Sequence, residues 1–94
     1  MKAVCIALFA LGLATVAHAE ARVYELSVPA VQCSYTSEKA ENAARQAAPG
    51  LYAKGDPEHH MITVRFEDDQ TSIDAIASAL AGQGYSVKSR KQLR

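Results

Sequence analysis

Two periodicities alternate along this chain, and their order leaves few folds open. Tyr24, Leu26 and Val28 share one parity while Val23, Glu25 and Ser27 share the other, the pattern of a half-buried strand that ends at Pro29. From Ser37 the repeat lengthens. Ala40, Ala43, Ala44, Ala47 and Ala48 recur at helical spacing, with Ser37 placed to cap the start, Glu38 and Glu41 at the positive end of the dipole, and Pro49 with Gly50 as the stop. So thin an apolar stripe lets a helix lie close to a sheet. Leu51 to Lys54 reads as a second strand, Gly55 to Pro57 as a bend, and Ile62, Val64 and Phe66, alternating with Thr63 and Arg65, as a third strand. Pro57 puts the second strand on an edge. Thr71 is read as the cap of a second helix with Asp74 three residues on, its apolar face Ile73, Ile76, Ala77 and Leu80 and its end at Gly82 and Gly84. Tyr85 to Lys88 is read as a short last strand and Ser89 to Arg94 as a solvated basic tail. The order βαββαβ predicts an α+β, ferredoxin-like sandwich with two helices on one face of a four-stranded antiparallel sheet.

The first 19 residues are set apart from this pattern. Met1 and Lys2 give a positive start, Ala3 to Thr15 is an uncharged apolar run, and Ala17 and Ala19 flank His18 as small residues of an export cleavage site. The run is shorter than the roughly 18 to 20 residues that cross a bilayer. It is read as a signal peptide, residues 1–19, removed after Ala19, which takes Cys5 with it and sends residues 20–94 to the periplasm. Subtracting 19 from the 94 residues leaves 75, enough for one small domain and excluding a second. Without Lys2 there are nine Lys and Arg against ten Asp and Glu, a balance that gives no reason to expect a nucleic acid or an anionic membrane surface as partner.

Cys33, the one cysteine left after cleavage, lies at the joint between the first strand and the first helix. It has no partner for an internal disulfide, so it is expected reduced, metal-bound or paired with another molecule. Near a helix start, free amides and the dipole favour a thiolate, the form needed for both metal binding and disulfide exchange. His59 and His60 are the other residues with ligand chemistry. Adjacent residues of an extended strand point to opposite faces, so one imidazole is the safer candidate ligand. A polar hairpin tip with two solvated histidines is the competing reading. In a βαββαβ order the Cys33 loop, the turn with His59 and His60, and the Gly84–Tyr85 loop share one end, and His60 begins the strand that neighbours the first. Residues distant in sequence can meet there.

The run Leu26 to Thr36, with Phe66 to Ile73 and the Gly84–Tyr85 pair, resembles the heavy-metal-associated domain family, in particular its exported mercuric-ion-binding members, over nearly the whole of residues 20–94. The family loop is Gly-Met-Thr-Cys-x-x-Cys. Here Ala30, Val31, Gln32, Cys33 and Thr36 stand at the matching positions, so the first cysteine carries over and the second is replaced by Thr36. The resemblance implies a soft metal ion, Cu(I) or Hg(II), held by Cys33, with a membrane transporter or another metal-handling protein as partner. A single thiolate needs a second ligand from His59 or His60, from a small molecule, or from a second copy in a metal-bridged homodimer. A Cys–His pair also suits Zn(II) or Cu(II). Tyr85 matches a position beside the metal loop and is equally a core aromatic, and Tyr35 stands inside the motif where it can partly cover Cys33. An acylphosphatase reading fails for want of an arginine between Val31 and Ser37, and an RNA-binding reading for want of aromatics on the central strands. No enzyme is indicated, and the alternative to metal carriage is a thiol-redox or interaction module in which Cys33 pairs with a partner's cysteine.

Overall fold

The computed structural model describes residues 19–94 of the chain, so the expected signal peptide lies, but for Ala19, outside the described residues. Strand β1 (Ala21–Ser27) leads through a loop to helix α1 (Ser34–Arg45). Strands β2 (Tyr52–Asp56) and β3 (Met61–Glu67) follow as a hairpin, then helix α2 (Ile73–Gly82) and strand β4 (Ser89–Gln92). All neighbours are antiparallel in the order β2-β3-β1-β4, which is the predicted ferredoxin-like sandwich with β2 on an edge.

The alternation does what its parity requires. Leu26 on β1, Ile62, Val64 and Phe66 on β3 and Ala53 on β2 turn inward, with Leu26 set against Ile62 in the register of β1 and β3. Ala40, Ala43 and Ala44 of α1 and Ile76 and Leu80 of α2 cover them. Each large aliphatic chain buried in this layer stabilises the fold by about 1.5–3 kcal/mol. Small residues bring α1 down onto β2: Ser37 is buried, and a Cβ on Gly55 would lie 2.0 Å from its hydroxyl oxygen. The same helix caps part of the outer edge of β2. Glu41 Oε2 accepts the Gly55 N–H at 2.8 Å, and Arg45 Nη2 donates to the Ala53 carbonyl at 3.1 Å.

The structure moves several expected boundaries, among them that of β2, which starts at Tyr52 and not Leu51 and runs on through Gly55 and Asp56, read as part of the bend, because both stay paired with β3. Helix α1 begins at Ser34 with Cys33 as its N-cap, one turn before Ser37, because the Thr36 side chain already serves the first free amides. It ends at Arg45 in place of Ala48, and Gly50, at φ +80°, turns the chain into β2. Helix α2 is capped by Ser72, not Thr71: the Ser72 hydroxyl accepts from the Ala75 amide at 3.1 Å, the reach of a cap to the third helical position. The last strand is Ser89–Gln92, the segment read as a tail. Tyr85 and Val87 are spent before it, half-buried against the core, while the Tyr85 N–H bonds the Leu80 carbonyl at 2.9 Å and the chain crosses from the helix layer to the sheet edge.

Candidate metal centre

One end of the sheet gathers the loops of interest. The Val28 N–H donates to the His60 carbonyl at 2.8 Å and the Lys88 N–H to the Ser27 carbonyl at 2.8 Å, which ties the end of β1 to the β2–β3 turn and to the segment before β4. The shared end expected from the element order is thus present.

Cys33 sits at the start of α1 with extended backbone, φ −152° and ψ 177°, and its side chain is exposed. Its sulfur occupies the place of a capping hydroxyl, facing the Thr36 amide, and lies 3.6 Å from Thr36 Oγ1. These contacts hold the thiol below its ordinary pKa. The Thr36 backbone amide is the largest cause, the Thr36 hydroxyl the next and the Tyr35 amide the third, with burial opposing weakly. The loop therefore favours the thiolate, the form that binds soft cations and attacks disulfides.

Thr36 has a structural assignment that its place in the family motif does not suggest. Its Oγ1 accepts from the Gln32 N–H at 2.8 Å and the Cys33 N–H at 2.9 Å, and donates toward the Cys33 carbonyl at 3.1 Å. A hydroxyl oxygen has two lone pairs, and both are in use. The sequence does contain the signal, a threonine three residues after a helix cap, but it is legible only if cysteine is admitted as a cap.

The two histidines separate. His60 has left-handed backbone, φ +57°, and its Nδ1 lies 2.8 Å from the Val31 carbonyl, two residues before Cys33. A carbonyl only accepts, so Nδ1 carries the proton and the neutral ring has its lone pair on Nε2. Ligating histidines are oriented in this way, by donating the other ring N–H to a carbonyl. His59 faces Asp56 instead, with Nδ1 2.8 Å from Oδ2. That bond raises the His59 pKa and lowers that of Asp56. Asp56, Glu58 and His59 form the group of three or more metal-type donors found among the described residues, all exposed, and Cys33 is not a member of it.

Neither tyrosine seals the loop. Tyr35 is 64% exposed and lies under the Lys39 ammonium, 5.4 Å from its ring centre, while half-buried Tyr85 packs on the core and meets Tyr35 across a shallow groove between the helices. Cys33 remains open to solvent.

No family model and no curated protein matches the sequence. Solved structures do. Oxidised MerP from Ralstonia metallidurans CH34 superposes with a TM-score of 0.65 at 29% identity, over 74% of this chain and 100% of that one. A heavy metal binding protein from Thermotoga maritima matches with a TM-score of 0.63 at 21% identity, over 76% of this chain and 98% of that one. The CopZ metallochaperone matches with 0.60 at 22%, over 72% and 98%. The last two share the fold alone. Together with MerP they place the chain beside the heavy-metal-associated domain proteins, in agreement with the loop resemblance.

Proposed function

We propose, from the heavy-metal-associated fold and the thiolate built into its first loop, that this protein is a periplasmic carrier or scavenger of a soft metal ion of the Cu(I) or Hg(II) type. The observation that carries the reading is the Cys33 sulfur at the start of α1, turned to the Thr36 amide and open to solvent. His60 is the second donor within the chain, through the Nε2 lone pair that its bond to Val31 leaves free. His59 also leaves its Nε2 free but is tied to Asp56 and not to the Cys33 loop, so it ranks behind His60 as the donor. A sulfur–nitrogen pair also admits Zn(II) and Cu(II). The exposed thiolate is offered to a membrane transporter or another metal-handling protein by ligand exchange.

Titration with Cu(I) under a competing chelator tests this. Cys33→Ser is expected to remove binding, and His60→Ala to weaken it about tenfold or more. Unchanged affinity in Cys33→Ser sinks the metal reading. If His60→Ala has no effect and one half-equivalent of metal drives dimerisation in sedimentation, the second ligand is another copy's Cys33.

The exposed thiolate also supports a second reading, a thiol-redox or interaction module that pairs with a partner's cysteine. A mixed disulfide on non-reducing electrophoresis of periplasmic extract, absent with Cys33→Ser, favours it. Export itself is tested by intact mass. The isolated protein is expected to begin at Glu20, and retention of residues 1–19 on a cytoplasmic form overturns the periplasmic assignment.

A further inference from the structure

The Cys33 loop is held in shape by a residue that its family resemblance would list only as a lost ligand. Thr36 Oγ1 takes the Gln32 and Cys33 amides at 2.8 and 2.9 Å, returns its proton toward the Cys33 carbonyl at 3.1 Å, and lies 3.6 Å from the sulfur. Those two amides belong to the four that every helix start leaves without intrahelical partners or to the residue just before them. Left bare, they would draw water into the loop or let it open. A second cysteine at this place would supply a sulfur, which is a weak acceptor, and such a loop would gain its order from a bound ion.

The geometry points to Thr36 as a positioning residue: by hydrogen bonds alone it folds residues 31–36 around Cys33 before any ligand arrives, and it does not itself coordinate. This inference deepens the proposed function and rests on it for its purpose, but its physical content concerns the metal-free loop. Coordination by Oγ1 would require it to release one of the two amides, which would then be left without a partner beside the thiolate. The hydroxyl proton has two destinations, the Cys33 carbonyl and the sulfur, so it can follow the charge on the sulfur without moving the loop. A methyl in its place, as in Thr36→Val, keeps the volume of the side chain and removes all of these bonds.

The test uses the metal-free chain from Glu20 and two readouts, hydrogen exchange of the Gln32 and Cys33 amides and the rate of Cys33 alkylation by iodoacetamide at pH 7. Wild type and Thr36→Ser are expected to protect both amides and to react alike. Thr36→Val is expected to lose that protection and to react about threefold to tenfold more slowly, as its thiolate fraction falls. Thr36→Val matching wild type in both readouts overturns the inference. So does Thr36→Ser behaving as Thr36→Val, which would assign the effect to the γ-methyl. If Thr36→Val does not fold, wild type and Thr36→Ser still decide: unprotected Gln32 and Cys33 amides in both would overturn it. Because no metal is present, failure of the metal-carrier reading in the titrations leaves these results untouched, and failure here leaves the titrations untouched.

Discussion

Thr36→Cys is expected to raise Hg(II) affinity about 1,000-fold, ~4 kcal/mol, when a second thiolate completes the near-linear pair that a soft ion prefers. The gain has a structural counterpart. Cysteine sulfur accepts hydrogen bonds poorly, so the Gln32 and Cys33 amides lose the oxygen that now holds them. The metal-free variant should be destabilised by about 1–2 kcal/mol, a melting temperature lower by roughly 5–10 °C for a domain of this size. Metal should then restore the melt of the variant and move the wild type much less. Competition against glutathione reads the affinity and calorimetry the melts. Equal affinities in the two proteins would mean that the parent already recruits a donor as strong as a thiolate.

The second large effect lies in the core. Leu26→Ala is expected to destabilise the fold by about 2–5 kcal/mol, because a fully buried leucine on a central strand leaves a cavity between two layers that are close-packed around it. Small domains begin near the lower end of the 5–15 kcal/mol range, so most of the stability is removed. The urea midpoint should fall by about 2 M or more at a slope near 1 kcal/mol per M. The loop with Cys33 hangs from this strand through Val28 and Val31, so thiol reactivity should approach that of the unfolded chain at lower urea than in wild type. A loss under 1 kcal/mol would show that the helices collapse into the space.

What the sequence makes legible follows the physics of each element. The inner strands announce themselves, since Tyr24, Leu26, Ile62, Val64 and Phe66 must alternate to reach one face, and the alanine stripe of α1 must exist for the helix to approach Gly55. β4 leaves no such mark. Ser89, Arg90, Lys91 and Gln92 are all exposed and are a strand only through their backbone pairing with β1, a long-range fact that no local pattern contains. The start of α1 was obscured for a chemical reason, because Cys33 is an unusual cap and Ser37, the better-looking one, is buried against β2. At the site, Cys33 and the shared end of the loops could be read from residue order. That the two histidines part could be read from their adjacency, but their partners could not, because these depend on the left-handed backbone of His60, which aims one ring at Val31 while the other stays with Asp56.

The side chains of α1 that occupy the rim of β2 also decide how copies of this protein can be stacked. Endless growth of a sheet requires two receptive rims on every unit, one to give and one to take. Here Glu41 and Arg45 already hold the Gly55 amide and the Ala53 carbonyl, so a strand joining at β2 has to displace both side chains, and β4 is the freer rim. Two copies joined by β4 would form an eight-stranded sheet with a partly capped β2 at each outer margin. A third copy would have to break those bonds to join, which opposes the filament that an open-rimmed sheet of this size would risk.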